Sequence, residues 1–286
     1  VRARGLLAAL LLSAAGAGCA RAVSYLDPAG PLHVRPRESP PPSGDALREL
    51  RVVTFNVAYA LEIDRAIEVL RETPALRGAD VLALQEMDAP GAERIARALD
   101  MSSVYFPSGV HPKYERDFGS AVLSPWPLEE PRKVVLPHGA RVSGLRRSAT
   151  SAVVVRGEER IRVYSVHLPS PLAVSGGSRV SQLRALAADA ASHDGPVVIA
   201  GDFNSHGKLE ELARAGFAWV TRDVGDTARF ALLGIPLAGL SYDHVLARGL
   251  EASPEPGSVG VVEDNRGASD HRPVWAVLVP AEGDAR

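Results

Sequence analysis

From residue 51 onward the chain alternates between short continuous apolar runs and amphipathic stretches. Residues 51–57 (RVVTFNV) form a β-branched run with no polar alternation, the pattern of a strand covered on both faces. Residues 80–85, 120–124 and 196–200 repeat that pattern, the run 120–124 being stopped by Pro125 and Pro127. Residues 151–155 and 160–166 read as a hairpin around Gly157, Glu158 and Glu159, and residues 243–247 and 273–279 as closing strands. Between them, Ile63, Ala66, Ile67 and Leu70 recur at helical spacing over residues 62–70. Further helices are predicted over 92–99, 180–192 and 208–215. Hairpins mixed with helices predict an α+β domain with helices flanking packed sheets, not a doubly wound parallel sheet.

The first 48 residues lack this rhythm. Arg2 and Arg4 precede an apolar run from Leu6 to Ala15 and then small residues up to Cys19, which is the grammar of an export signal over residues 1–19. The run is too short for a membrane span of about 20 residues. Two cleavage patterns compete. Ala15-Gly16-Ala17 and Ala20-Arg21-Ala22 suit ordinary cleavage, whereas Gly16-Ala17-Gly18-Cys19 resembles a lipobox with Gly16 where Leu is usual. The expected location is outside the cytoplasm of a bacterium, either periplasmic or membrane-anchored through a lipidated Cys19. Residues 20–48 carry Pro28, Pro31, Pro36 and Pro40 to Pro42, and predict an extended tether. The domain is expected over 49–280, with a tail at 281–286.

Composition narrows the function classes. Hydrophobic residues at 46% and charged residues at 23% describe a globular chain and exclude wholesale disorder. A net charge of −2 provides no global field for nucleic acid or an anionic membrane, leaving only local patches. The single cysteine excludes an intramolecular disulfide and a thiolate metal cluster. Arginine supplies nearly all the cationic charge.

Chemistry gathers at the strand ends. Asn56 closes the first strand and Gln85 and Glu86 the second. His167 follows 163–166, Asp202 and Asn204 follow 197–201, Asp243 opens a strand, and Asp270 and His271 precede the last one. One such residue is an ordinary turn former. Repeated through the chain, carboxylates, amides and imidazoles can converge on one spot at a sheet rim. Such donors suit a hard divalent cation, and the shortage of cysteines and the absence of a His-x-x-x-His motif speak against a structural or peptidase zinc site.

Thr54-Phe55-Asn56, Leu84-Gln85-Glu86, Ser165-Val166-His167-Leu168, Gly201-Asp202-Phe203-Asn204, Tyr242-Asp243-His244-Val245 and Ser269-Asp270-His271 resemble, in order, the motifs of the endonuclease/exonuclease/phosphatase superfamily. The resemblance covers about residues 49–280. It implies a four-layer α/β sandwich, two packed mixed sheets flanked by helices, with the site at one rim. It also implies phosphoester hydrolysis dependent on Mg²⁺ or Mn²⁺.

By that resemblance Glu86 is the main metal ligand, with Asn56 and Asp270 in support. Asp202 orients or deprotonates the attacking water, and Asn204 holds a phosphate oxygen. Asp243 fixes the tautomer of His271, which contacts the phosphate. His167 matches a second histidine cast as general acid. Arg147, in preference to Arg146, is expected to face phosphate. His111, Lys113, Tyr114 and Arg116 are candidates for lining the cleft. His244 is expected on the opposite face of its strand. His33, His138, His193 and His206 are expected to be solvated, Trp219 and Phe217 to be core, and Trp126 to lie at the rim. The apolar run 230–237 reads as core or as a membrane-facing loop.

These readings predict a monomeric phosphodiesterase acting on nucleic acid or, in the manner of a sphingomyelinase-type phospholipase C, on phospholipid. A catalytically inactive binding module would need a lost catalytic group, and every motif here is intact.

Overall fold

A computed structural model describes residues 22–42, 47–111, 113–205, 207–229, 231–232, 235–236 and 239–281. In chain order the elements begin with β1 (His33–Arg35), β2 (Leu50–Asn56), α1 (Ile63–Glu72), β3 (Val81–Met87), α2 (Ala89–Ala98), β4 (Ser102–His111), β5 (Arg116–Ser124), β6 (Leu128–Val135), β7 (Ser148–Arg156) and β8 (Glu159–His167). They continue with α3 (Gly176–Ala190), β9 (Val197–Asp202), α4 (Glu210–Arg214), β10 (Ala218–Trp219), β11 (Ala231–Leu232), β12 (Ile235–Pro236), β13 (Asp243–Arg248), β14 (Leu250–Ala252), β15 (Val259–Val261) and β16 (Val274–Pro280).

Two mixed sheets face one another. The first has the order β1-β4-β5-β3-β2-β16-β14, with β15 also on β16; the second has the order β10-β13-β9-β8-β7-β6. Near the middle of each lies one parallel pair, β2 with β3 and β8 with β9. The strands adjoining these pairs run antiparallel, so β13 and β16 start at the rim where the parallel strands end.

Alternation along β2 shows the layering. Val53 and Phe55 pack outward with Ile63, Ala66, Val69, Leu70, Ala92 and Ile95 of α1 and α2. Val52 turns the other way, with Val81, Ala83 and Val122, against Val163, Val198, Ala200 and Val245 of the second sheet. That sheet's outer face, with Tyr164, Val166 and Ile199, meets Leu183 and Leu186 of α3 and Leu212 of α4. The order is therefore helices, sheet, sheet, helices. Strands buried on both faces have no polar side, which is why they read as unbroken apolar runs. Gly201 is required here: a Cβ on it would meet the carbonyl oxygen of Val166 at 1.9 Å, so only glycine lets β9 lie this close to β8.

The predicted strands and helices form, with altered bounds, and strands with weak apolar signal emerge beside them. β6 begins Leu128-Glu129-Glu130-Pro131, has a register shift between Glu129 and Arg132, and is a sheet edge, where charge, proline and bulges discourage further pairing. β4 contains Pro107 and Gly109 and shifts register between them, which hides it from a periodicity reading.

The tether prediction needs correction. Residues 22–42 lie along the domain. Ser24 bridges to Gly109, and β1 pairs with β4 through His33 opposite Tyr105. The Tyr25 hydroxyl donates to Asp117 at 3.0 Å, and Arg37 donates to Asp100 at 2.8 Å and to the Pro125 carbonyl at 3.1 Å. Gly109 admits this strand, because a Cβ there would sit 2.0 Å from the Val23 carbonyl oxygen. Prolines keep the segment extended, but its polar groups find partners on the domain, so it does not stand off in water. Residues 1–21, with the expected export signal and Cys19, 43–46 of the expected tether, and 282–286 of the tail lie outside the described residues.

Deleting residues 22–42 strips pairing and burial from one sheet edge. We expect calorimetry to show a Tm lower by on the order of 5 °C or more, at about 2–4 °C per kcal/mol for a domain of this size. A free spacer would leave Tm unchanged.

Candidate active site

All the strand-end residues arrive at one rim because of the register. His167 and Asp202 end neighbouring parallel strands and lie opposite one another, and Asp243 opens β13 directly opposite Asp202. On the facing sheet Asn56 ends β2 opposite Gln85. Beyond Gln85 the pairing of β3 slips, and Glu86 takes a positive φ of 56°. Such a bulge swings a side chain out of its regular direction, and it turns Glu86 toward the rim. Beneath these residues a buried polar seam joins the sheets. Gln85 Nε2 donates to Ser165 Oγ at 3.0 Å, and Ser165 Oγ donates to the Leu84 carbonyl at 2.9 Å.

Asp202 is 1% exposed, and its two oxygens are divided between tasks. Oδ1 accepts the Asn204 backbone N–H at 2.8 Å. Oδ2 accepts Nδ2 of Asn56 and Nδ2 of Asn204, each at 3.1 Å. It also lies 3.4 Å from Nε2 of His167 and 3.7 Å from Nε2 of His271. Burial raises the carboxyl to about 6, against the lowering pull of His271, with Asp243 raising it further. Asn204 holds a positive φ of 48°, and its amide also donates to the Leu168 carbonyl at 2.9 Å.

Asp243 and His271 form a bonded pair, with Nδ1 of the ring 2.8 Å from Oδ2 of the carboxylate. The Thr227 hydroxyl donates to the same oxygen at 2.7 Å, fixing the carboxylate. Ser269 fixes the histidine backbone, since its hydroxyl accepts the His271 N–H at 3.0 Å and donates to the Asn56 carbonyl at 2.7 Å. Burial by itself would lower the ring's pKa. The carboxylates of Asp243 and Asp202 outweigh it and raise the ring to about 10. His167 lies in the opposite environment: burial, then Arg147, then His271 push its pKa well below the ordinary histidine range. One imidazole is therefore charged at neutral pH and the other neutral. This departs from the expected acid role of His167, because a neutral ring on a site of low pKa has no readily released proton.

Arg147 reaches this rim and Arg146 does not. Nη1 of Arg147 lies 3.3 Å from Nδ1 of His167, and the guanidinium stacks over Phe118 at 4.3 Å. Arg146 folds back onto the Leu136 carbonyl, 2.9 Å from Nη2. Glu86, His111, Arg147, His167, Asp202, Asn204 and His271 line one cavity of about 270 Å³.

The donor set there fits a hard divalent cation. Glu86 is 9% exposed and accepts the Tyr59 backbone N–H at 3.1 Å, while its other oxygen lies 3.8 Å from Nε2 of the neutral His167. Burial raises it to about 7 in spite of Arg147, with Asp202 raising it further. Asn56 keeps its Oδ1 facing the Ala58 N–H at 3.1 Å, and the exposed Asp270 raises Glu86 further. Asp202, Asp243 and His271 also bring ligand-type atoms within 4.8 Å of one another. There, a proton on Nδ1 of His271 already bridges to Asp243. Glu86, with Asn56 and Asp270, is the freer oxygen set.

Sequence reasoning missed Tyr59, Thr227, Arg179 and Gln182. Tyr59 stands on three successive positive-φ residues, Ala58, Tyr59 and Ala60, and its ring packs 4.7 Å from both His111 and Tyr114. Arg179 is 3% exposed and donates to the carbonyls of Pro169, Phe203 and Asn204. Gln182, one turn on, donates to the Pro137 carbonyl at 2.9 Å. The start of α3 therefore clamps the loops that carry Asn204 and lead to Arg147. A buried arginine and glutamine three apart on an apolar helix face is the signal that would have found them. Of the cleft candidates, His111 lines the cavity and Tyr114 stacks on Tyr59. Arg116 is held by Asp88 at 3.1 Å and by the Tyr59 carbonyl, and Lys113 sits over the Tyr114 ring at 4.9 Å. His244 faces away from the cavity, packed on Trp219 at 5.0 Å. Trp126 corrects the rim reading. It is buried in the core between the sheets, its Nε1 3.0 Å from Asp80 at the start of β3. Of the other histidines, His33 lies against Tyr105 and His193 faces the Arg160 carbonyl, while His206 lies outside the described residues. So does most of 230–237, apart from the pairing of β11 with β12.

The sequence matches a model of the endonuclease/exonuclease/phosphatase family over residues 53–271. Among solved structures it is similar to an endonuclease/exonuclease/phosphatase from Beutenbergia cavernae, with a TM-score of 0.63 and 23% identity over 82% of this chain and 72% of that one. It is also similar to sphingomyelinase C from Streptomyces griseocarneus, with a TM-score of 0.56 and 20% identity over 82% and 99%. A third is D. rerio TDP2 in complex with a single-strand DNA product, with a TM-score of 0.60 and 15% identity over 82% and 99%. A sequence search of curated proteins gives no match.

Two outcomes follow from the electrostatics. Glu86 and Asp202 have folded pKa values raised above their unfolded ones, to about 7 and about 6. Stability therefore falls as pH rises from the unfolded carboxyl range through these values, and the full penalty applies above about pH 7. A divalent cation relieves it, so Mg²⁺ or Mn²⁺ should raise Tm more at pH 8 than at pH 5. An equal rise at both values would reject the carboxylate site. His271 works in the other sense: its stabilisation is complete below the unfolded histidine pKa and is lost as pH rises through about 10. Ring NMR should find it charged through neutrality, and Asp243→Asn should return its titration towards the ordinary histidine range.

Proposed function

The chain belongs to the endonuclease/exonuclease/phosphatase family, and on that basis we propose that it is a divalent-metal-dependent phosphodiesterase. The overall reaction is addition of water to phosphorus, cleavage of the bond to one alcohol, and transfer of a proton to that alcohol. The observation that carries the reading is the single cavity onto which a charged His271, Arg147 and the buried carboxylates Asp202 and Glu86 all face. Anion-binding groups and a proton acceptor within one small volume are what a phosphoester and its attacking water require.

In this reading Asp202 Oδ2 takes the proton of the attacking water. With a raised pKa, it is both ionised at neutral pH and basic enough to accept. His271, charged and aimed by Asp243, steadies phosphate oxygens and holds the proton needed by the departing alcohol. Arg147 forks onto phosphate oxygens from the opposite side, kept in place by the Phe118 ring. Asn204 offers substrate the hydrogen it shares with Asp202 in the free protein. His167, neutral, positions Asp202 and backs Arg147 instead of serving as the acid. Glu86, Asn56 and Asp270 would hold the cation, which when bound supplies charge neutralisation at the phosphate.

The test uses bis(p-nitrophenyl) phosphate, a soluble phosphodiester. Hydrolysis should require Mg²⁺ or Mn²⁺, stop with EDTA, and drop by roughly 10²–10⁴-fold in His271→Ala and in Asp243→Ala, the scale of acid–base contributions. Because the two act as one unit, the double variant should lose little beyond the worse single. Full activity in EDTA, or single losses that multiply, would reject this assignment.

A further inference from the structure

Two turns at the mouth of the cavity present aliphatic side chains almost entirely to water. Val142 is 88% exposed and Leu172 is 89% exposed, far above the other exposed large apolar residues among those described. Their turns are joined, since the Arg141 N–H donates to the Ala173 carbonyl at 2.9 Å. Other members of the same turns, Ala140, Ser143, Ser170 and Ala173, line the cavity. Two aliphatic side chains held out on turns joined by a backbone hydrogen bond add nothing to the buried core, and together they put an apolar edge at the cavity mouth.

Charge and chain path indicate which partner. Residues 136–147 and 168–179 contain no aspartate or glutamate, although the chain has 34, and the first turn carries the exposed Arg141 beside Val142. The described chain also starts on this rim: the Ala22 N–H donates to the Ser143 carbonyl at 3.0 Å, and Ser24 Oγ accepts the Arg146 N–H at 3.1 Å. Cys19 and the apolar run from Leu6 to Ala15 precede that point directly. From Cys19 to Ala22 the chain can reach at most about 10 Å. An anchor at Cys19 would hold this rim, not the far end of the domain, against a bilayer. A single weak membrane signal gives marginal binding, and two apolar tips beside the exposed Arg141 add the second.

We propose that the rim bearing Val142 and Leu172 docks on an anionic phospholipid bilayer, and that the enzyme takes its phosphodiester from that surface. The docking stands on the exposed tips, the charge and the chain path; only the identity of the substrate rests on the phosphodiesterase reading.

The test uses the full chain with Cys19→Ser and one new cysteine carrying a polarity-sensitive fluorophore, at Val142→Cys, Leu172→Cys or Glu158→Cys. Glu158 lies in the exposed turn before β8, at the rim opposite the one where β8 ends. With vesicles of phosphatidylglycerol and phosphatidylethanolamine, the labels at 142 and 172 should shift to the blue and be quenched by lipid-borne quenchers, and the label at 158 should not. Equal responses at all three positions, or none at 142 and 172, would overturn the proposal. So would labels at 142 and 172 that respond to single-stranded DNA and not to vesicles. As a second arm, Val142→Asp with Leu172→Asp should cut turnover of a vesicle-borne phosphodiester at least tenfold and leave bis(p-nitrophenyl) phosphate hydrolysis unchanged. Equal loss on both substrates would count against docking. No hydrolysis of the soluble diester even by the unaltered chain would sink the phosphodiesterase reading, with the fluorescence result still deciding the docking.

Discussion

A carboxylate buried where two sheets meet is the constraint that the rest of this rim serves. Asp202 has almost no access to water, so each of its lone pairs needs a protein donor or a cation. Asn56 crosses from the facing sheet to supply one donor, and Asn204 supplies two by turning into a left-handed conformation. The two imidazoles close around the same oxygen. Moving either sheet by one residue would turn these polar ends to the opposite face, so the register of both sheets and the integrity of the site are a single condition.

Two histidines of identical chemistry are driven apart by what surrounds them. His271 is bonded to Asp243 and stays charged; His167, though Asp202 and Glu86 lie near its Nε2, has Arg147 against its Nδ1, is more deeply buried, and stays neutral. Divergent environments of this kind are how one rim supplies distinct proton states at one pH. Thr227 and Ser269 make the difference durable by fixing the partner carboxylate and the backbone of His271.

The outer frame has its own logic. Sheet edges are closed by short or bulged strands, β6 and β1 among them, and the segment leading into β1 is tied across the loops that flank the cavity. The entering chain and the loops at the cavity mouth are thus one packed unit, which gives the N-terminal segment a bearing on how the site is presented to its surroundings. Arg179 and Gln182 perform the matching task from α3, holding backbone carbonyls on which no side-chain chemistry depends directly.

By itself, the sequence determined the apolar strands, the helices between them and the identity of the polar residues at strand ends. Each of these is local: β-branched runs favour strands, helical spacing makes an amphipathic face, and polar residues follow where an apolar run stops. The ordered motifs extended that to the layered fold and to Asn56, Glu86, His167, Asp202, Asn204, Asp243, Asp270 and His271. Only the tertiary structure placed Arg147 at the cavity and Arg146 on the Leu136 carbonyl, since the motifs offered no more than a preference between adjacent residues until β7 is set against β8. It alone separated the protonation states of His167 and His271, because a pKa reports burial and neighbouring charge. It overturned the tether over residues 22–42, where proline-rich composition specifies an extended backbone but not whether that backbone has partners. It also brought in Tyr59, Thr227 and Arg179, whose roles arise from hydrogen bonds and packing between segments far apart in the chain, which no local pattern encodes.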